Sequence, residues 1–197
     1  MAGGGERDDM TETIRSERLD LISMTPEFLR ASLARDGREA ARLLRLRLPA
    51  GWPAGDADVL ALRLVQLERD PALQPWLLRA IAHRGTGTVV GHIGFHAAPG
   101  SENLRPYSAR GVEFGFTVFP GFRRRGIARE ASLALMDWAR QAQDGTEFFL
   151  TIRPDNAASQ ALAAGLGFVR VGSQMDEVDG LEDVLAYRAD DRGSAAR

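Results

Sequence analysis

The chain has 197 residues, 44% of them hydrophobic, enough to bury a sizeable core within a single domain. It has no cysteine, which excludes disulfides and cysteine-bound metal and fits a cytoplasmic protein. All 25 basic residues are arginine, set against 27 acidic ones, and the formal net charge of −2 argues against a broad nucleic-acid surface.

In chain order the sequence alternates strands and helices, the pattern of an α/β or α+β domain. Met1 to Glu12, with Gly3, Gly4, Gly5 and a charged run, lacks the apolar stretch of a signal peptide and reads as a disordered tail. Residues 190–197 read likewise, which leaves one domain over 13–189. A strand is expected from Ile14 to Ile22. Thr25 then caps a helix opening with Pro26, whose period continues through Phe28, Leu29, Ser32 and Leu33. A second helical stretch ends at Pro49 to Gly55, and Asp56 is placed to cap a third helix carrying Leu60, Leu64 and Leu67. Trp76 to Ala82 and Val89 to Ala97 read as strands of a hairpin around Arg84 to Gly87, followed by a loop from Pro99 to Arg110.

Gly111 to Glu130 carries the functional signal. Val112, Phe114, Phe116 and Val118 alternate with Glu113, Gly115 and Thr117, as in a strand that buries one face. Pro120 and Gly121 end that strand, and Ile127, Ala131, Ala134, Leu135 and Trp138 recur at helical spacing, so a helix starts near Gly126. Its unpaired N–H groups, preceded by Arg123, Arg124 and Arg125, suit a pyrophosphate. Gly121 and Gly126 have P-loop spacing, but Ile127 and Ala128 stand where that loop needs Lys and Ser or Thr. Gly85, Gly87 and Gly91 lack dinucleotide-loop spacing and lie in the expected hairpin. Farther on, a strand is expected at Phe148 to Ile152, a helix after Asn156, and a closing hairpin of Val169 to Val178 and Leu181 to Arg188 around Asp179-Gly180. No internal repeat and no membrane segment is evident.

Arg123-x-x-Gly126-x-Ala128 resembles the (Q/R)-x-x-G-x-(G/A) loop of the GNAT N-acetyltransferase superfamily, which holds the pyrophosphate of acetyl-CoA on backbone amides. NAASQALAAGLGF, Asn156 to Phe168, is similar to the N-x-x-S-x-x-L…G-F helix and strand of that family. IRSERLDLISMTPE, Ile14 to Glu27, is similar to the opening of its RimJ/RimL-like branch, the acetylases of ribosomal-protein N-termini. The resemblance spans roughly Ile14 to Arg188. It implies a mixed, mostly antiparallel central sheet with a splayed parallel strand pair, flanked by helices. It also implies acetyl-CoA as co-substrate, no metal, and an amine acceptor attacked directly in a ternary complex. The cofactor-binding set it implies is Val118, Phe119, Arg123, Arg124, Arg125, Gly126, Ile127, Ala128 and Asn156, with the backbone N–H groups of Val118 and Phe119 facing the thioester oxyanion.

Acetyl transfer requires a neutral amine, a stabilised oxyanion and, less urgently, a proton for the departing thiolate. Glu113 is the candidate base, on the opposite side of its strand from Val112 and Phe114; the competing reading is a solvated strand carboxylate. Ser159 is the candidate acid, against a plain role in the first turn after Asn156, because the family's tyrosine position holds Ala163. Asn156 serves equally as a helix cap. His92 and His96 share a strand face that could line an acceptor site or be plain sheet surface. Trp52 and Trp76 read as core or pocket wall and Trp138 as helix-to-sheet packing. Asp176, Glu177, Asp179, Glu182 and Asp183 would attract a cation or form a solvated face. The expected partners are acetyl-CoA and a primary amine, a peptide N-terminus foremost, with no nucleic acid or membrane; a homodimer is compatible with the sequence. Another acyl-CoA donor, an aminoglycoside or polyamine acceptor, and a non-catalytic CoA-binding module are the alternatives.

Overall fold

The computed structural model describes residues 13–53, 55–143, 146–176 and 180–187. The expected tails and the tip of the closing turn, 177–179, lie outside the described residues. The chain divides into two compact units, Met1–Ala98 with Phe116–Asp144, and Pro99–Gly115 with Gly145–Arg197.

The first unit opens with β1 (Ile14–Arg15) and β2 (Leu19–Ser23). The single strand expected here is instead a tight hairpin, with Ile14 opposite Leu21 and Ser16 N–H donating to the Leu19 carbonyl at 3.0 Å. A side chain 112 residues away in sequence, Glu130, accepts from the Arg18 N–H and guanidinium and holds the turn, a partner that local pattern could not reveal. Helices α1 (Pro26–Leu33), α2 (Gly37–Leu44) and α3 (Ala57–Arg69) follow. Thr25 caps α1 as expected, its side chain accepting from Phe28 N–H, and Asp36 caps α2 in the same way. Asp56 precedes α3 but makes no side-chain cap bond.

Strands β3 (Arg79–His83) and β4 (Thr88–Phe95) complete the hairpin around the Arg84–Gly87 turn. β3 begins later than Trp76, and Trp76 to Leu78 instead run buried into it, with Leu78 accepting from Met24 N–H at 2.9 Å. β5 (Gly111–Val118) belongs to both units, its last three residues to the first, and it leads to α4 (Ile127–Ala142). One core gathers Met24, Phe28, Leu29, Leu60, Leu67, Leu77, Ala80 and Val89, with Trp52 and Phe119 packed against it. Each such large apolar side chain stabilises the fold by about 1.5–3 kcal/mol when fully buried. On α4, Trp138 meets the Trp76 ring at 5.2 Å, as expected of helix-to-sheet packing. The buried Arg79 guanidinium lies 4.9 Å from the Trp138 ring centroid, and desolvation lowers its pKa to about 10.

The second unit contains the start of β5, then β6 (Glu147–Ile152), α5 (Ala157–Leu166), β7 (Phe168–Asp176) and β8 (Gly180–Tyr187). Val112 and Phe114 are about 1% exposed and Glu113 is half-buried between them, so strand alternation holds here. It fades from Gly115 to Val118, all half-buried. The parallel ladder joins Gly111–Glu113 to Glu147–Phe149. Phe114 and Phe168 pack edge to face at 6.0 Å. The strand order is β1-β2-β3-β4-β5-β6-β8-β7, mostly antiparallel with β5–β6 the parallel pair.

Candidate active site

The loop between β5 and α4 is shaped by its own backbone and two arginines. Phe119 N–H donates to the Val90 carbonyl at 2.9 Å, and a single 3-10 turn, Pro120–Phe122, redirects the chain. Arg123 Nε then donates to the Val118 carbonyl at 2.8 Å and closes the loop on its strand. Arg124 has φ 61° and Gly126 φ 76°, both left-handed, and Gly126 leads into a helix of sixteen residues. Arg123, Arg124, Arg125 and Gly126 are exposed, and the Arg125 guanidinium lies 5.9 Å from the Phe122 ring centroid. A Cβ on Gly126 would meet Arg18 Nη2 at 3.4 Å, and its positive φ favours glycine at this position.

Below this helix start sits a clamp that sequence reading missed. Glu130 accepts from Ser16 Oγ, Arg18 N–H and Arg18 Nε, each at 2.7 Å, while Arg18 Nη2 donates to the Arg125 carbonyl at 3.2 Å. Burial pushes the Glu130 carboxyl up, but the bonds from Ser16 and Arg18 outweigh it and hold the group below its usual range. Arg18 lies in the RimJ/RimL-like segment, yet nothing in that segment announced a partner on α4.

Of the two N–H groups expected at the oxyanion, that of Phe119 is engaged by the Val90 carbonyl in this structure. Glu113 is not a fully solvated carboxylate. It is half-buried in β5 and accepts a short hydrogen bond from the Thr151 hydroxyl in β6. Asn156 caps α5, its Oδ1 accepting from Ser159 N–H at 3.2 Å, and the Ser159 side chain is half-exposed. Ala163 is fully buried on α5. Within the first unit, then, Val118, Phe119 and Arg123 to Ala128 lie along one stretch of chain between β5 and the start of α4; within the second, Glu113 adjoins Thr151 and Asn156 adjoins Ser159.

His92 and His96 do not share a strand face, because β4 ends at Phe95. His92 is buried, with Nε2 2.9 Å from Asp56 Oδ1, and its ring lies 6.4 Å from that of Phe119. The His96 carbonyl accepts from Arg63 and Gln66 of α3. Trp52 Nε1 donates to Ser32 Oγ at 2.9 Å, and its ring stands 6.0 Å from Phe119. Of the acidic run, Asp183 is already held by Arg170 and Gln160, and Glu182 accepts from Gln174, while Glu177 and Asp179 lie outside the described residues. Among the described residues no group of three or more His, Asp or Glu could hold a metal ion, and no helix is long and apolar enough to cross a membrane.

The described residues thus combine a mixed, mostly antiparallel sheet, with β5–β6 its parallel pair, and an arginine–glycine loop that opens a long helix. The family model for the acetyltransferase (GNAT) domain matches residues 18–169, and the chain belongs to this family of acetyltransferases. A search of curated proteins finds no match. Among solved structures it is similar to an acetyltransferase from Salmonella typhimurium that modifies the N-terminal serine of 50S ribosomal protein L7/L12. That match has 18% identity and TM-score 0.59, covering 91% of this chain and 100% of that one. It is also similar to ribosomal-protein-S5-alanine acetyltransferase from Vibrio fischeri, at 16% identity and TM-score 0.59, covering 91% and 98%. A third is the Microcin C7 self-immunity acetyltransferase, crystallised with acetyl-CoA and AMP, at 13% identity and TM-score 0.58, covering 88% and 94%. At these identities the likeness establishes the fold.

Proposed function

We propose that this protein is an acetyl-CoA-dependent N-acetyltransferase that acts on a primary amine, with the amino terminus of a peptide or protein as the acceptor. The observation that carries this reading is the exposed Arg123–Gly126 segment, turned by a left-handed glycine into the N-terminus of α4. Three exposed guanidinium groups and the first N–H groups of a sixteen-residue helix fit a pyrophosphate, and the missing Cβ at Gly126 lets it approach.

Acetyl-CoA supplies an activated thioester carbonyl. In this reading Arg123 to Arg125 and the N–H groups of Gly126, Ile127 and Ala128 hold the phosphates, Val118 orients the acyl end, and Asn156 supports the cofactor from the cap of α5. Glu113 takes the proton of the amine, with Thr151 fixing its carboxylate, and Ser159 or water returns a proton to the thiol. The amine attacks directly, and no covalent enzyme intermediate is needed. A peptide α-amine, with a pKa near ~7.7–8.0, is appreciably neutral at pH 7, whereas a lysine amine near ~10.4 is not, so a site with a modest base favours the former. The opening segment similar to the RimJ/RimL-like branch, and neighbours described as acetylating ribosomal proteins, support the same acceptor class. A cytoplasmic location agrees with the absence of cysteine.

The test is CoA release followed with a thiol reagent, against which this cysteine-free chain adds no background. Short peptides with free α-amines should react faster than the same peptides blocked at the terminus and carrying a free lysine. Equal rates, or activity confined to aminoglycosides or polyamines, would remove the N-terminal assignment; silence with every amine and acyl donor would remove transferase activity.

A further inference from the structure

The first unit holds an ionisable pair that the proposed machinery does not use. Thr25, Asp36 and Asn156 each cap their own helices with a side-chain hydrogen bond. Asp56 stands in the corresponding position before α3, yet its carboxylate makes no such bond and is drawn instead to His92 Nε2 at 2.9 Å. Such a cap ordinarily stabilises its helix, so α3 forgoes that stability while the carboxylate is engaged elsewhere.

His92 is 5% exposed, and its Nδ1 is buried without a hydrogen-bond partner. With Nε2 engaged by Asp56, Nδ1 faces the interior without a partner. Among the described residues, the one polar contact the imidazole makes is thus the one that orients this carboxylate. Asp56 itself keeps 17% of its side chain exposed. The neighbouring surface is aromatic: the Phe119 ring is 6.4 Å from His92 and 6.0 Å from Trp52, and both Phe119 and Trp52 are half-buried. A carboxylate selects a cation, and the aromatic rings near its histidine partner are chemistry that favours one as well. Phe119 directly follows Val118, the residue assigned above to the acyl end.

We propose that Asp56, positioned by His92, forms the subsite that binds the protonated primary amine of the acceptor. This rests on the acetyltransferase reading and adds to it the group that selects a cationic acceptor. Asp56 is the binding residue, and His92 acts through it.

The test measures binding rather than turnover. A serine-headed tetrapeptide and its N-acetylated counterpart are titrated into the full chain saturated with CoA, so that no transfer can occur. The wild-type protein should prefer the free amine by about tenfold or more, the scale of one favourable charge contact. Asp56→Asn, which keeps the His92 bond but loses the charge, should lose that preference while CoA affinity and melting temperature stay near wild type, and Asp56→Ser, which can cap α3 but leaves His92 without its partner, should lose it with CoA affinity kept and the melting temperature lowered. His92→Leu should lose it as well, and His92→Gln, which retains a donor, should restore part of it, a difference that a purely structural histidine would not produce. Equal binding of the two peptides by wild type, or a preserved preference in both Asp56 variants, overturns the subsite. Failure of the wild-type protein to release CoA with any amine would instead remove the transferase reading, and the peptide preference would still decide the subsite on its own.

Discussion

Gly126 offers the sharpest test of the phosphate loop, because two substitutions there separate backbone strain from charge. At φ 76° an L-residue occupies the left-handed region, which costs ~1–2 kcal/mol. The added Cβ meets Arg18 Nη2 at 3.4 Å, an ordinary van der Waals contact, so Gly126→Ala should destabilise modestly and still fold. Gly126→Glu carries the same strain plus a negative charge where phosphate would sit. At a separation of ~5 Å, two unit charges repel by ~0.8 kcal/mol in water and ~3.3 kcal/mol at an effective dielectric of about 20. With ~1.4 kcal/mol per tenfold, the Glu variant should bind acetyl-CoA between roughly 4-fold and about 250-fold more weakly than the Ala variant for each phosphate charge opposed. Calorimetric titration of both variants gives this ratio directly. Raising the salt to ~1 M, where the screening length falls to about 3 Å, should narrow it. A folded Gly126→Glu protein with wild-type affinity for acetyl-CoA would show that this loop is not the phosphate site.

Glu113→Gln should lower kcat by about 10² to 10⁴ with acetyl-CoA affinity unchanged, the usual loss when a general base is removed. Unchanged kcat and pH–rate profile would reduce the Glu113–Thr151 pair to a strand contact. Glu130→Gln should destabilise the protein at neutral pH by about 2 kcal/mol, as hydrogen bonds to a charged group are each worth ~1.5–3 kcal/mol. Since the folded protein holds the Glu130 carboxyl below its ordinary value of 4.5, that stabilisation is complete above 4.5 and is lost as the pH falls through the folded value. Denaturant melts should therefore show the gap between wild type and variant closing in acid, and a gap constant from neutral to acidic pH would contradict the clamp.

Features set by neighbours in sequence were legible from the chain alone. Thr25 before Pro26, Asn156 three residues before Ser159, the alternation at Val112 to Phe114 and the glycine that starts α4 all act within one turn of helix or a few residues of strand. The resemblance carried by Arg123 to Ala128 lay in such a local element, and so the family was legible too. Only the tertiary structure decided what those elements meet. Ile14 to Ile22 has the composition of one strand, and it became a hairpin because Glu130 supplies a carboxylate to Ser16 and Arg18 across more than a hundred residues. Asp56 looked like a cap and became the partner of a histidine 36 residues on; Glu113 looked solvated and met Thr151 38 residues later. The placement of β8 between β6 and β7 likewise depends on which strand edges pair once the chain has folded back. Polar side chains choose among hydrogen-bond partners by distance in space, and spacing along the chain reports that distance only within a turn or two of regular structure.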